Sequence, residues 1–357
     1  LPPLRFSFRG VGSSGGALDL FVIPILLLLP PFAVALVVLH RLRRIFRRLI
    51  ERRPFAAENA KNLRFIGLAI IVGELVCAGV VYGITDLVVG RFTGTGVELY
   101  SEFDVRVPVL LSGLVLLVIA EVFREGAQMK ADLEAAREIQ FSLVSDTDFQ
   151  AGPVSIHSEM QPADSVGGDY YDVIDLGDGR IAFVVADVAG HGLPAALLMA
   201  LLQGSLRSLI SSGLRGAELV GKLNTYLVAN MPENKMITFF YGELDPGTGR
   251  LTYVNAGHNP PYLYDGSGSR RLASTGVVLG AVDGVPFGEA TVELEAGARV
   301  LLFTDGIVEA ANPADEEFGE ERLEKVIGET GDLAPPRLIE RTVADVIRFC
   351  GKAKPAD

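Results

Sequence analysis

Cysteine is scarce in this chain. It has two, Cys77 and Cys350, too few for a disulfide framework, so nothing calls for an oxidising compartment. Both read as buried thiols, the usual state of free cysteine. Basic charge is scarce in the second part. Residues 138–357 hold 16 Lys and Arg against 32 Asp and Glu, whereas residues 1–137 hold 16 against 12. An acidic domain lacks the basic footprint of nucleic-acid binding and suits one that binds divalent cations, so nucleic acid is not an expected partner. An initiator methionine is also missing: the first residue is Leu1, and the chain stops at Asp357 soon after a helical pattern. Both ends are therefore expected to be truncated.

What is present is apolar. The mean hydropathy is +0.35, high for a soluble protein, and 357 residues suffice for two domains with a core in each. Three stretches reach spanning length, about 18–39, 65–89 and 107–123. Pro24, Pro30 and Pro31 interrupt the first, which spanning helices tolerate. Glu74 interrupts the second and is expected to face neighbouring helices rather than lipid. The segment 40–64 carries Arg41, Arg43, Arg44, Arg47, Arg48, Arg52, Arg53, Lys61 and Arg64, and the stretch 90–106 only Arg91 and Arg106. The positive-inside rule then makes 40–64 cytoplasmic and delivers everything after the third span to the cytoplasm. The basic run is read as a loop lying at an anionic leaflet rather than as a nucleic-acid arm. Residue 1 falls outside, which implies an earlier span. Residues 53–64 before the second span and Phe123-Arg124-Glu125-Gly126 after the third resemble an uncharacterised family of small bacterial four-helix membrane proteins, which implies no chemistry.

Residues 121–143 lack Gly and Pro except Gly126, and Met129, Leu133, Ala136 and Leu143 mark one face. This predicts an amphipathic connector helix. It either pairs with its copy in a homodimer and transmits a signal or packs on the following domain as a spacer.

From Val154 the pattern turns to short strands and turns. Strands are expected at 154–160, 170–176, 180–186, 237–244, 250–255, 261–264, 291–294 and 299–304, with Gly177-Asp178-Gly179 as a hairpin turn. Helices are expected at 192–211, with Pro194 in the first turn, and at 216–229, 320–328 and 335–349. The apolar run Leu193–Leu202 is too short to span a bilayer. Strands 237–244 and 299–304 are apolar on both faces and should be covered on both, so two packed sheets with helices outside fit the order.

Three aspartates stand out by position. Asp169 follows Gly167-Gly168 at a strand start. Asp187 ends an apolar strand and opens a Gly-rich turn. Asp305 is placed at the end of another apolar strand and precedes Gly306. Converging carboxylates repel unless a cation lies between them. Hard oxygen donors select Mg²⁺ or Mn²⁺, and two such ions can activate a bridging water against a phosphoryl group. His191, four residues after Asp187, is a candidate proton donor to a leaving serine oxygen, with loop and cap structure as its other reading. His258, in a Gly/Pro turn, reads as structural. No Ser or Cys nucleophile with a partner is visible, so attack by water is preferred over a covalent route.

Ala136-Arg137-Glu138-Ile139-Gln140, Val166-Gly167-Gly168-Asp169-Tyr170-Tyr171-Asp172, Ala186-Asp187-Val188-Ala189-Gly190-His191-Gly192, Asn255-Ala256-Gly257-His258-Asn259-Pro260-Pro261 and Thr304-Asp305-Gly306 occur in that order. As a set they resemble the SpoIIE branch of the PPM (protein phosphatase 2C-like) serine/threonine phosphatases, over about 136–357. The resemblance implies an α+β fold, an α-β-β-α sandwich with a two-metal site of Mn²⁺ or Mg²⁺ between the sheets. It implies that Asp187 bridges both metals with the Val188 carbonyl beside it, that Asp169 supports the first metal, and that Asp305 holds the second. Asp357 stands where the family's last metal aspartate begins its motif. The substrates implied are phosphorylated signalling proteins such as anti-sigma-factor antagonists.

The expected organisation is an all-α transmembrane domain over 1–123, a connector over 124–145 and a phosphatase domain over 146–357. The expected location is a bacterial inner membrane, with lipid around the spans and the phosphatase in the cytoplasm. The competing readings are a non-catalytic phosphoprotein-binding module and a two-metal phosphoesterase acting on small molecules.

Overall fold

The computed structural model describes residues 17–51, 54–92, 102–145, 148–161, 166–265, 268–330 and 333–351, giving for 17–28 and 87–92 only the helical path. Asp357 lies outside the described residues. The chain divides into two compact units, Leu1–Asp132 and Leu133–Asp357. The division falls inside the expected connector.

The first unit holds α1 (Ala17–Ile50), α2 (Ala57–Phe92) and, as far as Asp132, α3 (Val107–Leu143). Helix α2, over Ala57–Asp86, and helix α3 are long and apolar enough to cross a membrane. Their outward residues, among them Leu68, Val72, Leu75, Leu114 and Val118, are exposed and apolar. The basic segment differs from the expected loop. Helix α1 runs on through Arg41 to Arg48, because arginine is a strong helix former and a cation is favoured at a helix C-terminus. Arg41 then donates to Asn62 Oδ1 at 2.9 Å, and Asn59 Nδ2 donates to the Pro54 carbonyl at 2.9 Å, which ties the turn between α1 and α2. Helices α2 and α3 cross closely at two glycines. A Cβ on Gly67 would lie 2.8 Å from the Gly113 carbonyl oxygen, and a Cβ on Gly113 would lie 2.9 Å from that of Gly67, the small-residue contact of membrane bundles. Glu74 is 4% exposed and pairs with Arg106, so it does turn away from the outside. Cys77 is only half-buried, a correction to its expected burial, because its turn of α2 also carries exposed Leu75 and Val76; Cys350 is buried.

The expected connector is not a separate element. It continues α3 without a break. Of its apolar seam Met129 is exposed, while Leu133, Ala136 and Leu143 are half-buried within the single chain.

The second unit is mixed. A five-stranded antiparallel sheet has the order β3 (Tyr170–Asp175), β4 (Ile181–Val188), β5 (Ile237–Asp245), β6 (Arg250–Ala256), β9 (Ala290–Glu293). A three-stranded sheet has the order β10 (Arg299–Leu301), β7 (Tyr262–Asp265), β8 (Gly268–Arg271), and β1 (Asp148–Ala151) pairs with β2 (Val154–His157). Helices α4 (Gly192–Ser211) and α5 (Gly216–Asn230) bury Met199, Leu202, Leu223 and Leu227 against Val184, Phe239 and Val254 of the large sheet. Phe240, Leu251 and Tyr253, also of the large sheet, pack with Leu263, Val300 and Leu302, and with Phe149 and Ile156 of the small hairpin. Tyr262 and Phe303 pack with Leu323, Val326 and Val346 from α7 (Gly319–Glu329) and α8 (Pro335–Cys350). Helix α4 has the length and composition of a span, but its Ala195–Ile210 stripe is part of this core.

Two expectations fail at β10. It ends at Leu301 rather than Thr304, and it is half-buried rather than covered on both faces. Its partner strand gives out: Leu301 pairs with Tyr262, and Pro261 and Pro260 beyond have no N–H to donate. Strands β1 and β8 and the short helix α6 (Asp305–Val308) were not anticipated.

Candidate active site

The Asp187 strand runs antiparallel to the strand that follows Asp169. Their last pair is Tyr170 with Ala186, so one step further the same register sets Asp169 opposite Asp187. Residues opposite one another on antiparallel strands share a face. Both aspartates are half-buried. Gly168 makes this approach possible, because a Cβ there would lie 2.7 Å from the Val188 carbonyl oxygen, closer than any side chain permits.

Asp305 comes from a different layer. It opens helix α6 with Thr304 at the N-cap position. A threonine there ordinarily caps the helix through its hydroxyl. Among the described residues Thr304 forms no such cap; its hydroxyl instead donates to Asp169 Oδ2 at 3.1 Å. That bond ties the Asp305 turn to the Asp169–Asp187 edge. Burial raises the Asp305 carboxyl above the ordinary carboxylate range, opposed in part by the N–H groups of Gly306 and Asp305. Glu309, one turn further, is also raised, by burial and then by repulsion from Asp305 and Glu317. Uncompensated negative charge of this kind favours a cation.

The turn after Asp187 is held from below. Lys235 Nζ donates to the Ala189 carbonyl at 2.8 Å, and Ala189 N–H donates to the Met236 carbonyl at 2.9 Å. Gly190 and Gly192 have φ of 104° and 71°, left-handed conformations that glycine adopts without cost. His191 between them is exposed and occupies the N-cap position of α4 without a side-chain cap. His258 is 3% exposed. Its Nδ1 shares a 2.8 Å hydrogen bond with Thr238 Oγ1, and Thr238 is the cross-strand partner of Asp187. Burial pushes the His258 pKa down to about 4, so the ring is neutral at pH 7.

Among the described residues no three His, Cys, Asp or Glu side chains come together closely enough to hold a metal, and Asp357 is not among them. The groups placed at this edge are Asp169, next to the Tyr170–Ala186 pair that ends the ladder, Asp187, and the Val188 carbonyl beside Gly168, with Thr304 tying the Asp305 turn to Asp169. They are hard oxygen donors, and Mg²⁺ is commonly held by one or two carboxylates with water filling the remaining positions. The residues present therefore fit such an ion in chemistry. Lys235, Thr238 and Thr304 were missed from sequence. Thr304 stood inside a recognised motif; no sequence signal marked the other two.

Residues 177–357 match the family described as Stage II sporulation protein E (SpoIIE), and residues 16–136 match a family described as protein of unknown function, DUF2975. Protein IcfG of Synechocystis sp. (strain ATCC 27184 / PCC 6803 / Kazusa) is 30% identical over 236 residues, covering 58% of this chain and 37% of that protein. Phosphoserine phosphatase RsbU of Bacillus subtilis (strain 168) is 29% identical over 184 residues, covering 51% of this chain and 55% of that protein. The chain thus spans about a third to just over half the length of these two relatives. Among solved structures, the SiaA-PP2C domain of Pseudomonas aeruginosa superposes with a TM-score of 0.58 at 22% identity, covering 65% of this chain and 95% of that domain. At that identity the likeness speaks for the fold, which is PP2C-like. With the family match covering just over half of its 357 residues, the chain belongs to the Stage II sporulation protein E (SpoIIE) family.

Proposed function

We propose that the second unit hydrolyses phosphoserine or phosphothreonine on a partner protein, with an anti-sigma-factor antagonist as the proposed type of substrate. The observation that carries this is the β3–β4 register, whose last pair, Tyr170 with Ala186, adjoins Asp169 and Asp187, with Thr304 tying the Asp305 turn to Asp169. Asp169, Asp187 and the Val188 carbonyl are the proposed holders of one Mn²⁺ or Mg²⁺, and Asp187, Asp305 and Asp357 of a second. When bound, the ions supply an activated water and charge compensation for the phosphoryl group. His191, exposed at the mouth of the turn, is the proposed proton donor to the serine oxygen as its bond to phosphorus breaks. His258, neutral and buried, is left a structural role.

Helices α1–α3 are the proposed membrane anchor in a bacterial inner membrane. The Arg-rich end of α1 and the phosphatase are placed on the cytoplasmic side by the positive-inside rule. Lipid is the proposed surrounding of 1–123, and a second copy the proposed partner of the 121–143 seam, whose Met129 is exposed.

The test uses the full chain in detergent with phosphoserine peptides. Turnover should require Mn²⁺ or Mg²⁺ and stop on chelation, and turnover that survives removal of all metal would overturn the reading. The competing reading is a phosphoprotein-binding module without turnover, and the presence of Asp169, Asp187 and Asp305 in their motifs speaks against it. Calorimetry that shows peptide binding and no metal binding would establish it.

A further inference from the structure

Two buried amide side chains stand at the start of α2. Asn59 is wholly buried and Asn62 is 4% exposed, beside the apolar cluster of Leu63 and Ile66. Burying an amide costs stability unless its polar atoms are matched. Here the oxygen of each faces an arginine of α1. Asn62 Oδ1 accepts from Arg41 Nη1 at 2.9 Å, and Asn59 Oδ1 accepts from Arg48 Nη1 at 3.5 Å. The Arg41 guanidinium also lies over the Phe65 ring, 4.5 Å from its centroid, a favourable cation–π contact. Both arginines are thus held by neutral groups.

Their charge is left uncompensated. Among the described residues Arg47 pairs with Glu51 at 3.4 Å, whereas Arg41, Arg44 and Arg48 meet no carboxylate. Residues at i, i+3 and i+7 share one helix face, so these three form a stripe beside Leu42 and Ile45, the residues of α1 that pack in the cluster. A guanidinium has five donors, and Arg41 and Arg48 each use one on an asparagine. The same turns of α1 expose Phe46, Leu49 and Ile50 to the outside. Arg41 follows the apolar stretch 18–39, and Phe65 opens the one at 65–89. Their contact therefore falls where hydrocarbon would give way to headgroups. Guanidinium forks match phosphate oxygens in pairs, and basic pockets between membrane helices hold acidic headgroups. The exposed apolar side chains suit acyl chains, which a free phosphate ion lacks.

We infer that Arg41, Arg44 and Arg48, with Arg41 and Arg48 set by Asn62 and Asn59, form a seat for the phosphate of an acidic phospholipid at the α1–α2 edge. The inference rests on the proposed membrane anchor. It goes beyond that reading by naming the headgroup class and the residues that recognise it.

Binding of labelled phosphatidylglycerol to the full chain, in micelles of a neutral detergent sparsely doped with it, tests this. The parent should hold it roughly tenfold or more tightly than phosphatidylcholine. A basic residue beside an acidic lipid contributes about fivefold. Arg41→Gln with Arg48→Gln should therefore weaken binding by about 25-fold. Arg43→Gln with Arg47→Gln removes the same charge from the other side of the helix and should leave binding unchanged. Asn62→Leu alters no charge, yet should cost about fivefold because Arg41 loses its holder. The thermal unfolding midpoint shows which variants fold, and the arginine pairs carry the test if Asn62→Leu does not. Equal losses in the two arginine pairs, or no loss in a folded Asn62→Leu, would overturn the seat. Displacement of the lipid by inorganic phosphate would make it a free-anion site and overturn the lipid assignment. If the parent floats with phosphatidylcholine vesicles but shows no preference for phosphatidylglycerol, the inference is wrong and the anchor stands. If it floats with no vesicle, the anchor itself is wrong and the inference falls with it.

Discussion

Thr304 donates its hydroxyl to Asp169 at 3.1 Å across 135 residues of sequence, at a position where it could have capped helix α6. The hydroxyl therefore serves the site rather than the helix. Thr304→Val keeps the β-branched shape and removes only that bond. Because no cap is lost, the unfolding midpoint should stay close to the parent's. Mn²⁺ affinity should fall by about tenfold, at the lower end of what ligand-orienting groups contribute. Thr304→Ser should restore it. Calorimetry on the three proteins decides, and an unchanged affinity in Thr304→Val would show that the bond is incidental.

Gly168→Ala should separate folding from activity. The added methyl would stand 2.7 Å from the Val188 carbonyl oxygen, so the Asp169 strand and the turn after Asp187 must part. Misplacement of reacting groups by about 1 Å can cost on the order of 100-fold in rate. Phosphopeptide turnover should fall by roughly that factor while circular dichroism stays that of the parent. Full activity in Gly168→Ala would mean that the close approach is not needed for chemistry.

Much of this fold can be read locally, and what cannot is long-range. Helix α4 has the bounds 192–211 anticipated for it, because a Gly-rich turn and Pro194 mark its start and its apolar stripe is unbroken. The Gly177-Asp178-Gly179 hairpin likewise joins β3 to β4. Strand β8, by contrast, is Gly-Ser-Arg-Arg, an exposed edge with no apolar face. Helix α6 is a single turn set by where β10 loses its partner. The three aspartates were legible because glycine stands near each, Gly168 before Asp169, Gly190 after Asp187 and Gly306 after Asp305. The Thr304 contact was not, since a hydrogen bond between distant motifs leaves no periodicity in either. The arginines of 41–48 suggest a loop by their charge, but they are also strong helix formers, and helix α1 continues through them.

His258 gives the second unit a signed pH dependence. Its pKa is 6.5 when free and about 4 in the fold, because burial disfavours the imidazolium. Between those values the unfolded chain takes up a proton that the folded chain refuses. Stability is therefore complete above pH 6.5 and is lost as pH falls toward 4. From pH 7 to 4.5 this group alone should remove roughly 2–3 kcal/mol. Hydrogen exchange of β5 amides, measured at both pH values, should show a smaller loss in His258→Gln than in the parent. Equal losses would mean that the ring protonates freely in the folded state.

The pair of Glu74 and Arg106 should hold the residue just before α3 against the middle of α2 in the first unit. Glu74 Oε1 accepts from both the backbone N–H and Nε of Arg106 at 2.9 Å, and Oε2 accepts from its guanidinium. The carboxylate is almost wholly buried and the guanidinium half exposed. Removing either partner strands the other. Loss of one member of a buried pair costs roughly 3–5 kcal/mol, and the exposure of Arg106 places this pair toward the lower value. Glu74→Leu leaves the Arg106 backbone N–H and guanidinium without their acceptor, whereas Arg106→Leu leaves a buried carboxylate, so the second should be the more damaging. Replacing both by leucine removes both stranded charges, and apolar substitutes for a buried ion pair are often neutral or better. The double variant should therefore be more stable than Arg106→Leu alone. Thermal unfolding in one detergent, run as a double-mutant cycle, measures the coupling. Strictly additive losses would show that the two side chains meet without depending on each other.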